Sequence, residues 1–231
     1  MPKISGLVEL LLEFVFPTRC VSCRKRGTLL CPECEKQLSP LEKLFCIVCG
    51  RPAVGGFTHP GCRTQFTPER AWAGFSYREI ARRLVQGLKY RRVRKVAEIM
   101  ADLLVEELAD SGVEFGSEAV VVPVPLSFWR EGARGFNQSS LLGKALAEKL
   151  GLPFRAAVLR KTRDTISQVS LTKPERAANV QGAFSVKGGL HGEDILLVDD
   201  VLTTGATGRE AAKTLKKAGA GQVWILAFAK D

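Results

Sequence analysis

The stretch Asp194-Ile195-Leu196-Leu197-Val198-Asp199-Asp200-Val201-Leu202-Thr203-Thr204-Gly205-Ala206-Thr207 decides the reading of this chain. Ile195 to Val198 form the short apolar run of a strand buried on both faces of a parallel sheet. Two acids follow at its end. Adjacent carboxylates at a strand terminus repel each other and add nothing to packing, so they call for an external partner such as sugar hydroxyls or a hydrated cation. The hydroxyl- and glycine-rich turn Thr203 to Thr207 then leads into a helix, and Thr207-Gly208-Arg209-Glu210 matches a capping box. Free backbone N–H groups and the positive end of a helix dipole converge there, which suits a phosphate. A strand, two acids and an anion-binding turn together describe a site for a ribose phosphate.

Working outward, strands and helices alternate from Arg70 to the end of the chain. Ala71 to Tyr77 read as a strand, and Ser76-Tyr77-Arg78-Glu79 as a capping box opening a helix with Ile80, Leu84 and Leu88 on one face. Val96, Met100, Leu103, Leu104 and Leu108 fall at helical spacing and Gly112 is the expected stop. Ala119 to Val122 give a second buried strand, ended by Pro123 and Pro125. Leu141, Leu142, Ala145 and Leu146 mark the next helix, closed by Leu150-Gly151. Ala156 to Leu159 are read as a further strand, Arg160 to Leu190 as a long irregular connection, and Gln222 to Phe228 as the last strand. The alternation predicts an α/β fold, with a mostly parallel sheet, helices on both faces and ligands beyond the strand C-termini. Asp199 and Asp200 sit at such an end.

All seven cysteines lie between residues 20 and 62. They read Cys20-x-x-Cys23, Cys31-x-x-Cys34, Cys46-x-x-Cys49 and His59-x-x-Cys62, four chelating pairs that suit two tetrahedral zinc ions. Pairing is either sequential, with Cys20, Cys23, Cys31 and Cys34 on one ion and Cys46, Cys49, His59 and Cys62 on the other, or interleaved. The sequential scheme is favoured because interleaving closes longer loops at greater entropic cost. Neither site leaves an open position, so both are structural rather than catalytic. The cysteine distribution puts a boundary near residue 66, with an N-terminal helix and double zinc-ribbon module over 1–66 and a larger domain over 67–231.

With 231 residues, 45% hydrophobic and 25% charged, the composition is that of an ordinary folded protein rather than a disordered one. The formal charge is +10. A basic excess survives metallation, since two divalent ions return part of the charge that bound thiolates remove, and a polyanionic partner fits it. Leu7 to Phe16 carry two glutamates and no small-residue cleavage site, and are too short to span a bilayer. They read as a helix packed on the rest of the protein, with contact at the inner face of the membrane as the lesser alternative. The expected location is the cytosol. From Arg78 to Lys95 run eight basic residues, Arg78, Arg82, Arg83, Lys89, Arg91, Arg92, Arg94 and Lys95, around Tyr90 and against the single acid Glu79. Such a run is either a solvated helix face or a contact for single-stranded nucleic acid.

The segment from Ile195 to Thr207 resembles the phosphoribosyl pyrophosphate (PRPP) signature of type I phosphoribosyltransferases. That resemblance implies that Asp199 and Asp200 bond the ribose 2′- and 3′-hydroxyls, and that Thr203, Thr204, Gly205, Ala206 and Thr207 cradle the 5′-phosphate, with Mg²⁺ accompanying the diphosphate. Together with the cysteine module, Gly87-Leu-Lys89-Tyr90, Pro123-Val-Pro125, Arg134-Gly-Phe-Asn-Gln138 and the stretch from Gln168 to Phe184, the chain resembles the ComF family over nearly its whole length. The family resemblance implies a zinc-ribbon N-terminus, a phosphoribosyltransferase-like C-terminal domain and an association with uptake of transforming single-stranded DNA, with a DNA-translocating helicase of the competence system as a partner. His59 departs from the family pattern, replacing a cysteine of the fourth pair. Lys89, Arg130 and Arg134 are the diphosphate candidates, because guanidinium forks and ammonium groups suit its oxygens. Three functions stay open: an enzyme transferring the phosphoribosyl group, a module that senses PRPP or a nucleotide without turning it over, and a zinc adaptor for DNA.

Overall fold

The computed structural model describes residues 17–88, 93–165 and 172–231. The helix expected at Leu7 to Phe16 lies outside these residues, as do Lys89 to Arg92.

Four parallel strands form the central sheet: β1 (Arg70–Ser76), β2 (Val120–Pro123), β5 (Ile195–Leu202) and β6 (Val223–Lys230), in the order β1-β6-β5-β2. Strand β5 lies inside the sheet and Ile195 to Val198 are fully buried, as a run with no polar residue requires. Its side chains alternate between two cores. Leu196 and Val198 face α2 (Glu79–Gly87), α3 (Val93–Asp110) and α5 (Gln138–Leu150), through Leu84, Met100, Leu104, Leu142 and Leu146. Ile195 and Leu197 face the other layer, where α7 (Ala206–Lys217) contributes Ala211, Ala212 and Leu215. Helix α7 approaches the sheet closely at Gly208, where an added Cβ would lie 2.9 Å from Ile225 Cδ1.

The expected fold class is borne out, and four local expectations are corrected. The strand placed at Ala156 to Leu159 is instead β3 (Leu159–Lys161), paired antiparallel with β4 (Phe184–Val186) in a separate two-stranded sheet. In β3 only Leu159 is fully buried, whereas Arg160 is exposed, so the segment lacks the two apolar faces that an inner parallel strand needs. Ser76 does not cap α2: it ends β1 and its N–H bonds the Ser39 carbonyl, while Arg78 stands at the cap without a side-chain hydrogen bond. Thr207 is already inside α7, whose N-cap is Gly205, and Glu210 accepts a hydrogen bond from Gly182 N–H at 2.9 Å instead of reaching back. A capping box does form at Thr172 and Glu175, opening α6 (Lys173–Val180) inside the stretch read as irregular.

The cysteine-rich segment, with the short helix α1 (Pro32–Glu35) and two single 3₁₀ turns, packs along the outer edge of β1. Leu41 N–H donates to the Gly74 carbonyl at 2.8 Å and Thr58 N–H to the Glu69 carbonyl at 2.9 Å. Arg70 ties the same seam: it lies over the rings of Phe57 and Phe115 and donates to the Glu114 carbonyl at 2.7 Å. Farther along, Arg83 of α2 donates to the Ser22 carbonyl at 2.6 Å.

Candidate functional site

At the C-terminal end of β5 the chain leaves the sheet with Asp199 and Asp200 half-buried. Asp199 Oδ1 accepts from Ser139 Oγ and from the Asp200 N–H, each at 2.9 Å, and Asp200 Oδ1 accepts from the Val201 N–H at 3.0 Å. Burial pushes the Asp199 carboxyl well above the usual carboxylate range, and the neighbouring Asp200 charge pushes it further; the Ser139 hydrogen bond opposes both. Two acids held together in this way favour a cation or a set of hydroxyl donors between them and solvent. The Tyr77 phenol, just beyond β1, is pushed up mainly by burial, with Arg82 opposing the rise and Asp200 adding to it.

Ser139 is placed by the start of α5. Asn137 is its N-cap: the side-chain oxygen accepts from the Ser139 N–H at 3.0 Å, while Nδ2 donates to the Val124 carbonyl at 3.0 Å. One buried side chain thus fixes both the helix that carries Ser139 and the loop that follows β2. Thr203 and Thr204 are half-buried, Gly205 takes φ +72°, and the N–H of Ala206 sits 3.4 Å from Thr204 Oγ1 as α7 begins. The positive end of the α7 dipole stands at this loop, which suits an anion.

Of the three diphosphate candidates, Arg134 is exposed at the end of α4 (Phe128–Arg134) and Arg130 lies in the same short helix, beyond the loop after β2. Lys89 lies outside the described residues. Sequence reasoning missed Ser139, and it missed Arg160 and Lys161 of β3. Those two basic residues line a cleft of about 330 Å³ together with Pro125, Asn137 and Ser140. The signal for Ser139 was its place two residues beyond an Asn-cap; Arg160 and Lys161 stood at the start of the stretch read as an irregular connection.

The cysteine ligands gather as the sequential scheme expects. Cys20, Cys23, Cys31 and Cys34 form one group and Cys46, Cys49, His59 and Cys62 the other, with the ligand atoms of each group within 4.8 Å of one another. His59 Nδ1 approaches Cys49 Sγ at 3.3 Å, while Nε2 lies 3.0 Å from the Pro52 carbonyl. That outer hydrogen bond sets the tautomer that leaves Nδ1 free to bind metal. Four soft or imidazole donors in each cluster fit tetrahedral Zn²⁺, so the module holds two zinc-binding sites.

Comparison with known proteins agrees with this geometry. Residues 11–64 match the double zinc ribbon domain and residues 137–231 the phosphoribosyl transferase domain. Competence protein F of Haemophilus influenzae is 31% identical over 93% of this chain and 98% of its own length. DNA utilization protein YhgH of Salmonella typhimurium is 33% identical over 91% and 96%. Among solved structures, the purine phosphoribosyltransferase from Pyrococcus horikoshii aligns with 58% of this chain and 83% of its own, at 15% identity and a TM-score of 0.37. Fold and sites define a phosphoribosyltransferase-like domain that carries a double zinc ribbon. The chain belongs to the ComF family, that of competence protein F and YhgH.

Proposed function

We propose that this chain binds PRPP, with Mg²⁺, at the C-terminal end of β5, and does so in the handling of single-stranded DNA. Asp199 and Asp200 take the ribose hydroxyls, and the backbone and threonine hydroxyls from Thr203 to Thr207 take the 5′-phosphate. Arg130 and Arg134, with Lys89, are the cations assigned to the diphosphate. The observation that carries this reading is the half-buried acid pair, with Asp199 held by Ser139, at the end of a strand that runs on into a left-handed glycine and a helix N-terminus. Phosphoribosyl transfer builds positive charge on the sugar as diphosphate leaves, so positioning and charge stabilisation supply most of its catalysis. The same site serves transfer when an acceptor enters and sensing when none does.

The DNA half of the reading rests on the names of the relatives and on exposed charge. Arg78, Arg82, Arg94 and Lys95 are exposed, whereas Arg83 is engaged by Ser22. A cytosolic site of action, with a DNA-translocating helicase as partner, follows from the same association. No helix among the described residues is long and apolar enough to cross a membrane. Calorimetric titration with PRPP and Mg²⁺ tests the site. The wild-type chain should bind and the Asp199→Asn, Asp200→Asn double variant should not, with its melting transition intact; equal affinity in the two would refute the assignment.

A further inference from the structure

The second zinc site lies against the loop assigned to phosphate. Between the ligands Cys46 and Cys49 stand Ile47 and Val48, and both reach across to the phosphoribosyltransferase-like domain. Ile47 is 2% exposed and belongs to the core formed by Leu202, Ala211, Ala212 and Ile225, on the α7 side of the sheet. Its side chain fills the space under Gly205 so closely that a Cβ built on that glycine would lie 2.6 Å from Ile47 Cγ1 and 3.0 Å from Cδ1. Val48 offers its carbonyl to Arg209 Nη1 at 3.5 Å, in the first turn of α7. Gly205 is held at φ +72°, a conformation that glycine adopts without a steric cost but that nothing in its own residue enforces. The contact from outside supplies the enforcement.

We propose that Ile47 is a positioning residue for the phosphate loop, and that the second zinc ion, by fixing the turn Cys46 to Cys49, holds the loop in its anion-binding shape. This rests on the assignment of Thr203 to Thr207 to the 5′-phosphate. A zinc knuckle is a rigid wedge because both its ends are tied to one metal, so Ile47 cannot retreat without breaking the site. Backbone N–H groups bind an anion well only when they are already aimed at it, since reorganising them at the moment of binding lowers affinity. The first zinc site has no such role: Cys20, Cys31 and Cys34 pack into the opposite core, with α2 and α3.

The test uses the full-length, zinc-loaded protein in four forms: wild type, Ile47→Ala, Ile47→Val and Leu190→Ala. Leu190 belongs to the same core as Ile47 but sits before β5, at the far end of the sheet, against Gly219. All four should retain two zinc ions by metal analysis. Hydrogen exchange should accelerate across Thr203 to Thr207 in Ile47→Ala and stay at the wild-type rate in Ile47→Val, which keeps the Cγ1 contact, and in Leu190→Ala. Titration with PRPP and Mg²⁺ should show weaker binding for Ile47→Ala alone, by up to about a hundredfold, the scale on which a 1 Å misplacement of positioned groups acts. Unchanged exchange in the loop of Ile47→Ala, or equal acceleration in Leu190→Ala, overturns the positioning role. A wild-type chain that does not bind PRPP, yet shows the selective exchange in Ile47→Ala, overturns the PRPP assignment and leaves the positioning role standing.

Discussion

Ser139 Oγ donates to Asp199 Oδ1 at 2.9 Å, joining the first turn of α5 to the C-terminal end of β5 across 60 residues of sequence. Ser139→Ala removes the side-chain donor that favours the ionised form of Asp199, and the carboxyl then moves still further above its ordinary range. A hydrogen bond to a charged group contributes about 1.5–3 kcal/mol, and here part of that is already set against the cost of burial. The expected outcome is weaker PRPP binding, with its rise in affinity displaced to higher pH than in the wild type, read by titrations across a pH series.

The pH dependence of stability has the opposite sign to that of most acids. Because the folded pKa of Asp199 lies above its unfolded value, the folded state holds the proton more tightly. The contribution of this group is therefore fully present below the unfolded carboxyl pKa and is lost as pH rises through the folded one. Asp199→Asn keeps the shape without the charge, so its advantage over wild type should grow with pH. Thermal melts at several pH values between 4 and 8 measure this, and a variant that melts below wild type throughout would contradict it.

Gly205→Ala places a Cβ 2.6 Å from Ile47 Cγ1 and forces a non-glycine residue to φ +72°. The left-handed conformation alone costs about 1–2 kcal/mol for an L-residue. Denaturant unfolding should show at least that loss. Gly132→Ala, on the exposed helix α4 with no atom near its added Cβ, should be neutral or slightly stabilising.

Metal analysis should return two zinc ions per chain, falling toward one in His59→Ala while the Cys20 group keeps its ion. Cys23→Ser should do the converse. A preparation with no zinc at all would disprove both sites.

Charge reversal of Arg82 and Arg94 together should weaken single-stranded DNA binding and lower its salt slope by about 0.7 for each phosphate that is no longer neutralised. Arg83→Ala should act differently, because its guanidinium holds the Ser22 carbonyl: it loosens the zinc module from α2 more than it alters the salt slope. Filter binding across a salt series separates the two effects.

The parts of this molecule that were legible in the sequence are those whose cause is local. Ile195 to Val198 could only be an inner strand because they offer no polar face, and the two-residue gaps between ligands predicted how the zinc sites close. What was hidden lies in contacts between distant segments. Nothing near Ser139 announces Asp199, and nothing between Cys46 and Cys49 announces Gly205. The helix caps show the same limit from the other side. Thr207 and Glu210 have the spacing of a capping box, but Gly205 starts the helix two residues earlier and Gly182 takes the carboxylate. Thr172 and Glu175 have that spacing too, and there the carboxylate turns back onto its own helix start.

Strand β1 is one of the two outer strands of the central sheet, and the backbone around Ser39, Leu41, Phe57 and Thr58 is what covers its open side. That covering belongs to the segment whose shape depends on zinc. Metal starvation therefore does more than empty two ligand clusters: it uncovers a row of unpaired peptide groups on an apolar strand, the feature by which sheets of separate molecules join edge to edge. For this protein, insolubility is the expected mark of a cell that runs short of zinc, ahead of any fault in the sugar-phosphate site.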